Sequence, residues 1–303
     1  MSFIVTILGS NSATPAFNRN PTSQLLRIGQ EQLLVDCGEG TQMRLLALKQ
    51  RASRIRYIFI SHLHGDHYLG LVGLLSSLHL NGREEDMHLF GPPGLDEIIT
   101  TQFKYSNTYL CYRIHFHAVS TTPATILDAD AFTVSTLPLS HRIHCMGFLF
   151  REKPGKRRIN KDLLPPTLSV NHLKRLKEGK DLFDPAGNLL YRNEDLTLPP
   201  RAPRSYAFCS DTRYEEGLVD YVRGVSLLYH ESTFLDDQRE RAAETFHSTA
   251  RQAATIARLA EADKLVLGHY SSRYRDLTPF LTEAREVFPN TVLSIEGEDI
   301  EVE

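Results

Sequence analysis

A short stretch between residues 61 and 67 carries enough ligand chemistry for a metal site. Four potential ligands lie within six residues, directly after the apolar run 57–60: His62, His64, Asp66 and His67. Histidines crowded this closely would repel one another if protonated, whereas neutral imidazole nitrogen and carboxylate oxygen both suit zinc. Alternation along an extended segment places His62 and His64 on one side, and a turn at Gly65 directs Asp66 and His67 toward a second point. The stretch therefore predicts two adjacent metal subsites, with a solvated polar loop as the alternative.

Three later residues could complete the ligand set, because each follows shortly after a predicted strand: His141, Asp211 and His269. A dinuclear zinc site takes about seven protein ligands, and one of them is a bridging carboxylate. The expected ligands are His62, His64 and His141 for one metal, and Asp66, His67 and His269 for the other. Asp211 would then bridge the two metals.

Three residues near these ligands are expected to bind a phosphate or to support a ligand histidine. Ser271 and Arg273 follow His269 so closely that a phosphate on the metals would lie within their reach. A guanidinium group can bind a phosphate through two hydrogen bonds, although a surface salt bridge is the alternative for Arg273. Asp36 is expected to steady a ligand histidine rather than to bind metal itself.

The elements that must position these residues alternate between strands and helices, which predicts an α/β sandwich of layers. Strands are expected at 3–8, 24–28, 32–36, 57–60, 87–90, 114–119, 131–137, 145–151, 205–209, 225–230, 264–268, 291–295 and 299–302. Helices are expected at about 41–52, 68–80, from 94 onward, 169–178, 248–261 and 277–287.

The interval 152–203, termed here the basic insertion, interrupts this alternation. Residues 151–180 hold ten Lys or Arg against three acidic residues, a local balance of +7 in a chain whose net charge is −3. The rest of the chain is therefore acidic, and the positive charge is concentrated in one segment. The interval has too few large apolar residues to predict a core of its own, so we expect an arm inserted into a single domain spanning 1–303. A solvated charged linker is the alternative.

Composition and the N-terminus predict a cytoplasmic protein. The four cysteines form no CxxC pair, which fits reduced thiols better than a disulfide framework. No apolar run approaches the roughly 18 residues of a membrane helix, so no membrane partner is expected. The N-terminus lacks the basic lead of a signal peptide and is typical of a first strand.

The ligand pattern resembles the metallo-β-lactamase superfamily, whose HxHxDH cluster matches residues 62–67. Finer motifs are similar to ribonuclease Z, the endonuclease that trims tRNA 3′ trailers. These motifs occur in order over nearly the whole chain: Leu8-Gly9-Ser10 through Arg19-Asn20, Asp36-Cys37-Gly38-Glu39-Gly40, His230-Glu231-Ser232-Thr233, His247-Ser248-Thr249 and Ser271-Ser272-Arg273-Tyr274. In that family a basic insertion is an arm that grips the tRNA body.

The resemblance implies an α/β fold, the metallo-β-lactamase-like αβ/βα sandwich with an inserted tRNA-binding arm, and two zinc ions per subunit of a homodimer. It implies cleavage of tRNA precursors after the discriminator nucleotide by metal-activated hydroxide, leaving a tRNA 3′-hydroxyl and a 5′-phosphate on the trailer. Asp66 would orient the hydroxide or take its proton.

Further roles follow from the same resemblance. His247 corresponds to a general acid with Glu231 as its orienting partner, although a structural position before a helix cap is the alternative for His247. Arg19 and Asn20 would line the pocket for the nucleotide at the cleavage point, and a turn role is the alternative for Asn20. The alternative enzyme is a hydrolase of a small phosphodiester or thioester, and the non-enzyme alternative is an RNA-binding protein with a vestigial site.

Overall fold

Strands and helices alternate along most of the chain, which a computed structural model describes over residues 2–303. The strands are β1 Phe3–Gly9, β2 Ser23–Ile28, β3 Glu31–Cys37, β4 Ile55–Phe59, β5 Met87–Gly91, β6 Ile114–Ala118, β7 Thr125–Asp128, β8 Phe132–Pro138, β9 Met146–Glu152, β10 Arg158–Ile159, β11 Leu182–Phe183, β12 Leu189–Tyr191, β13 Thr197–Leu198, β14 Ser205–Cys209, β15 Leu227–Glu231, β16 Lys264–Gly268, β17 Thr291–Leu293 and β18 Asp299–Glu301. The α-helices are α1 Thr41–Ala47, α2 Gly65–Tyr68, α3 Leu71–Leu80, α4 Leu95–Tyr105, α5 Val170–Lys177, α6 Asn193–Leu196, α7 Val219–Val222, α8 Arg239–Thr245, α9 Ala250–Leu259 and α10 Thr278–Arg285. Short 3-10 helices occur at Ala52–Arg54, Lys161–Leu163, Glu216–Leu218 and Asp236–Gln238.

Two seven-stranded sheets form the framework, with strand orders β18-β1-β2-β3-β4-β5-β6 and β17-β16-β15-β14-β9-β8-β7. Strands β3 to β6 run parallel in the first sheet, and strands β14 to β17 run parallel in the second. Parallel strands end at the same edge of a sheet, so the loops that follow them lie side by side.

Aromatic side chains fill the space between the sheets. Phe59 stacks on Phe90 of the neighbouring strand, with ring centroids 4.8 Å apart. Across the interface, Phe59 contacts Phe148 and Phe150 of the second sheet, each with centroids 5.4 Å apart. Buried aromatic pairs of this kind stabilise a core beyond the effect of their buried area. They hold β4, which leads into the histidine cluster, against the second sheet.

Helices cover the outer face of each sheet. Apolar residues of α1, α3 and α4 pack on the first sheet, and those of α7, α9 and α10 pack on the second. Four of the five buried side chains of α9 are alanines, which lets the helix approach its sheet closely. The five are Ala250, Ala253, Ala254, Ile256 and Ala257. The predicted αβ/βα sandwich is confirmed.

A close backbone contact fixes the start of α3 beside the end of β3. The Gly70 amide donates to the Cys37 carbonyl over 2.9 Å. A Cβ atom at Gly70 would meet the Gly38 carbonyl oxygen at 2.2 Å, a distance no real side chain tolerates. Glycine is therefore required here, and it anchors the turn that follows the histidine cluster.

Residues Glu152–Pro203 form a compact unit separate from Met1–Arg151 and Arg204–Glu303. Strands β10 and β13 pair within it, β11 and β12 form a hairpin, and α5 begins with a capping box at Ser169. Leu176, Leu182 and Leu196 are buried together in this unit. The expectation that the basic insertion lacks a core was wrong, because leucines scattered over 21 residues converge once the chain folds back on itself.

The basic insertion leaves and rejoins the second sheet at neighbouring positions. Strand β9 ends where the insertion begins, β14 starts just after it, and Arg151 pairs directly with Ser205. The two strands are antiparallel neighbours, so the insertion occupies the position of a hairpin connection.

Several elements differ from the sequence prediction. The predicted helix 41–52 stops at Ala47, and the predicted helix 68–80 begins only at Leu71, after the separate short helix α2 has ended at Tyr68. Strand β7 and helices α7 and α8 were not predicted; α8 buries only Ala242, so it has no apolar periodicity to detect. Within residues 2–303, no helix is both long enough and apolar enough to span a membrane.

Candidate metal centre

Seven potential ligands converge where strands of the two sheets end. The first sheet contributes residues after β4, at His62, His64, Asp66 and His67. The second sheet contributes residues after β8, β14 and β16, at His141, Asp211 and His269. All seven predicted metal residues are therefore brought together at one seam between the sheets.

Three imidazoles and one carboxylate make the first group. Nδ1 of His64 lies 3.1 Å from Nε2 of His62 and 3.2 Å from Nε2 of His141. Oδ2 of Asp211 lies 3.5 Å from Nε2 of His62 and 3.7 Å from Nε2 of His141. Ligands about 2.0–2.1 Å from a tetrahedral zinc are about 3.3 Å apart, so these four atoms fit one ion.

The second group contains Asp66, His67 and His269, and it shares Asp211 with the first. Oδ2 of Asp66 lies 3.4 Å from Nε2 of His67 and 3.6 Å from Nε2 of His269. Oδ1 of Asp211 lies 3.4 Å and 3.0 Å from the same two nitrogens. The two oxygens of Asp211 therefore face different groups, as a bridging carboxylate would.

Two buried nitrogen atoms support the fit of a cation at the second group. Nε2 of His67 and Nε2 of His269 are buried, and neither has a hydrogen-bond partner among residues 2–303. A buried polar atom without a partner is costly, and a metal ion would satisfy both nitrogens at once. In the first group, burial lowers the pKa of His62, His64 and His141, which favours the neutral imidazole that metals require.

Asp36 holds His67 from behind. Its carboxylate accepts from Nδ1 of His67 over 2.7 Å, and from the backbone amide and hydroxyl of Ser61 over 2.7 Å and 2.9 Å. A neutral histidine that donates from Nδ1 presents Nε2 as the acceptor, so Asp36 fixes which nitrogen faces the second group. The sequence analysis assigned this supporting role to Asp36.

Glu231 organises the opposite side of the seam. The fully buried carboxylate accepts from the backbone amides of Thr212 and Thr233, each over 3.0 Å, and from the Thr233 hydroxyl over 2.7 Å. Because that hydroxyl donates to Glu231, its oxygen can accept from Nδ1 of His269 at 3.0 Å. Thr233 thus orients a predicted ligand and was not singled out from the sequence, although it ends the His230–Thr233 motif.

His247 lies beside this network at the rim of the two groups. Its Nδ1 is 2.8 Å from Oε1 of Glu231, and its ring centroid is 5.4 Å from that of His141 and 5.5 Å from that of His269. Burial opposes protonation, but the Glu231 charge and hydrogen bond more than compensate and raise the pKa of His247 to about 9. The Glu231 carboxylate therefore favours the protonated form of His247.

Arg19 and Asn20 form hydrogen bonds with distant parts of the chain. The Arg19 guanidinium donates to Oδ1 of Asn11 over 2.9 Å and to the carbonyls of Tyr274 and Arg275. The backbone and side-chain amides of Asn20 donate to the Glu296 carboxylate over 2.6 Å and 2.7 Å. These contacts hold both residues and their loops in place, and the nucleotide pocket stays a prediction.

Ser271 and Arg273 lie on the loop that Arg19 braces. The Ser271 amide donates to the Thr233 carbonyl over 3.2 Å, which ties the loop to the Glu231 network. The Arg273 side chain is exposed and makes no ion pair or side-chain hydrogen bond with any residue from 2 to 303. Its cation is therefore available to an anion.

Known proteins are similar to this chain over nearly its whole length. A family model described as anti-Pycsar protein Apyc1 matches residues 3–152. Ribonuclease Z of Cytophaga hutchinsonii is 49% identical over 298 residues, covering 98% of this chain and 95% of that protein. Ribonuclease Z of Bacteroides fragilis strain YCH46 is 43% identical over 297 residues, covering 97% of each.

Solved structures give the same fold. The short form of human tRNase Z superposes with a TM-score of 0.72 at 27% identity, covering 99% of each chain. The metallo-β-lactamase fold protein YhfI from Bacillus subtilis superposes with a TM-score of 0.69 at 20% identity, covering 99% of this chain and 100% of its own.

The Glu231–His247 pair makes a testable pH prediction. Glu231→Gln removes the charge that raises the pKa of His247, so the imidazolium should lose its proton at lower pH. If protonated His247 is needed, the alkaline limb of the pH–rate profile should move down by about 1–2 pH units. Glu283→Gln, a half-buried carboxylate at α10, serves as the control. An unmoved alkaline limb in Glu231→Gln would contradict the assignment.

Proposed function

This chain belongs to the ribonuclease Z family, and we propose that it is a zinc-dependent endoribonuclease that removes the 3′ trailer of tRNA precursors. Cleavage would fall after the discriminator nucleotide and leave a tRNA 3′-hydroxyl and a 5′-phosphate on the trailer. The observation that carries the proposal is the position of Asp211, whose two oxygens face two separate groups of imidazole nitrogens. A shared carboxylate of this kind supports two metal ions in one site.

Each proposed zinc ion has its own protein ligands. His62, His64 and His141 would hold one ion, Asp66, His67 and His269 would hold the other, and Asp211 would contribute to both. When bound, the two ions would lower the pKa of a water molecule and offset negative charge on the scissile phosphate.

The protein's own groups would supply proton transfer and orientation. Oδ2 of Asp66 accepts from the Ala13 amide over 2.7 Å, which fixes the carboxylate for orienting the attacking water or taking its proton. His247, whose protonated form Glu231 favours, would donate to the departing ribose 3′-oxygen. The free Arg273 guanidinium and the Ser271 hydroxyl would bind the phosphate oxygens.

The basic insertion supports a large polyanionic substrate. Four of its lysines are exposed and form no ion pair within residues 2–303: Lys156, Lys161, Lys174 and Lys177. The last two lie on α5. If five or six cations of this segment met phosphates, tRNA affinity would fall with salt at a log-log slope of roughly −4 to −5. Double-stranded RNA is read mainly through its backbone shape, so a cationic surface suits a folded tRNA.

An exposed apolar face supports the proposed homodimer, in which the basic insertion of one subunit would present tRNA to the other. Met43 and Leu46 stand three residues apart on α1, with 73% and 79% of their surface exposed. Large apolar side chains on one helix face are stabilised when another surface covers them.

Mapping the cut on a 3′-extended tRNA precursor tests the reaction and the metals together. Zinc-loaded protein should cut once, after the discriminator, and bind two zinc ions per chain by elemental analysis. Asp211→Asn should lose zinc and reduce cleavage at least about 100-fold, because it weakens both sites. Asp96→Asn, an exposed helical residue, is the control. No cleavage near the discriminator would refute the proposal.

Replacing residues 152–203 with a two-residue turn tests the role of the basic insertion. Precursor cleavage should be abolished, while hydrolysis of a small chromogenic phosphodiester should survive because the metal ligands lie outside the deleted segment. Equal loss of both activities would contradict the assignment. In the full chain, Lys174→Gln and Lys177→Gln should each flatten the salt slope of tRNA binding by about 0.7–0.9, and the exposed Lys49→Gln should not.

Light scattering tests the dimer. The wild-type chain of 34.4 kDa should behave as a particle of twice that mass, and a Met43→Glu, Leu46→Glu variant should behave as a monomer. Tyr105→Glu changes an equally exposed apolar residue on α4 and should leave the mass unchanged. A monomeric wild-type protein would contradict the proposal.

A further inference from the structure

Phe17 is an exposed aromatic residue in a turn that favours other residue types. Its side chain is 49% exposed. The turn is closed by two hydrogen bonds between the backbones of Ala16 and Arg19, over 3.1 Å and 2.9 Å. Both central residues are left-handed, with φ of 53° at Phe17 and 61° at Asn18. Asn and Gly favour such turns, whereas a bulky aromatic residue does not.

The unusual conformation points to a function for the ring, because strained positions persist where they serve a site. The ring contributes little to the core while half of its surface faces solvent. Replacing it with Asn or Gly would relieve the backbone and remove an exposed apolar group at once. A phenylalanine at this position therefore lowers the stability of the folded protein, and folding alone does not explain why it is there.

Arg19 holds the ring in a fixed place. Its guanidinium carbon lies 5.4 Å from the centre of the Phe17 ring. Nε, Nη1 and Nη2 of Arg19 all donate to protein oxygens, at Asn11 and on the loop at Tyr274 and Arg275. Arg19 is thus committed to bracing the turn against the loop that carries Arg273, and it supports one side of the Phe17 ring.

The loop between β1 and β2, which carries Phe17, also contacts the candidate metal centre. The Ala13 amide donates to Oδ2 of Asp66 over 2.7 Å. Phe17 is four residues further along, so its Cα lies within about 14 Å of the Cα of Ala13 even for a fully extended chain. The turn that carries Phe17 is therefore tied on one side to a predicted metal ligand, Asp66, and on the other to the loop that carries Arg273.

We propose that Phe17 is a stacking platform for a nucleobase next to the cleaved bond. The inference rests on the proposed function and adds a binding subsite to it. The 3′ end of a tRNA precursor is single-stranded around the cleavage point, and proteins hold single-stranded RNA by stacking its bases on aromatic rings. Every base has a π-face, so the platform would accept precursors with different flanking nucleotides.

Kinetics with Phe17 variants test the subsite. Phe17→Ala should lower kcat/KM for a 3′-extended precursor by about tenfold or more, because it removes the stacking surface. Phe17→Tyr keeps the ring and should retain most of the activity. Phe17→Leu keeps apolar bulk without the ring and should resemble Phe17→Ala. A Leu variant as active as wild type would overturn the proposal.

Modified precursors separate stacking from a folding defect. A precursor with an abasic ribose at the contacted nucleotide, either the discriminator or the first trailer position, should be cut more slowly by the wild-type enzyme. The losses from the abasic site and from Phe17→Ala should not add, since both remove one contact. Fully additive losses at both positions would overturn the proposal.

Fluorescence gives a readout independent of turnover. With 2-aminopurine at the contacted position, binding to wild-type protein and to Phe17→Tyr should quench the emission, and binding to Phe17→Ala should not. Equal quenching by all three proteins at both flanking positions would overturn the platform. Wild-type protein that fails to cut any precursor would instead refute the proposed function, so the two failures are distinguishable.

Discussion

A buried carboxylate shared between four imidazole nitrogens is the constraint on which the rest of the structure depends. Asp211 is almost inaccessible to solvent, and its oxygens lie 3.0–3.7 Å from nitrogens of His62, His67, His141 and His269. Removing a carboxylate from water is expensive unless positive charge compensates it nearby. Since two of these histidines follow the first sheet and two follow the second, all four nitrogens surround the carboxylate only when both sheets meet at this seam.

Two further buried carboxylates give the seam its rigidity. Asp36 accepts hydrogen bonds from one backbone amide and a hydroxyl, and Glu231 from two backbone amides and a hydroxyl, so their charges are stabilised without a metal. Each also orients a histidine, directly at His67 and His247, and through Thr233 at His269. Ligand nitrogens are therefore aimed before any ion arrives, which reduces the reorganisation that binding requires.

The histidine cluster and the strand-end ligands could be predicted because spacing and strand periodicity act locally along the chain. The layered fold followed from the alternation of strands and helices for the same reason. Thr233 could not be assigned, because its role depends on a contact with a residue 36 positions away. The contacts of Arg19 and Asn20 could not be predicted either, because their partners, Tyr274, Arg275 and Glu296, come from the far end of the chain. The core of the basic insertion was missed because its leucines show no helical or strand period.

The pairing of Arg151 with Ser205 has a consequence for how this protein can change over evolutionary time. The sheet already holds the two ends of the basic insertion at adjacent positions, so a longer, shorter or different segment adds little to the entropy of closing the connection. The segment also has its own small core, so substitutions inside it need not alter the packing of the sandwich. Length and sequence can therefore change within this one connection while the residues of the candidate metal centre, which lie outside it, stay constant.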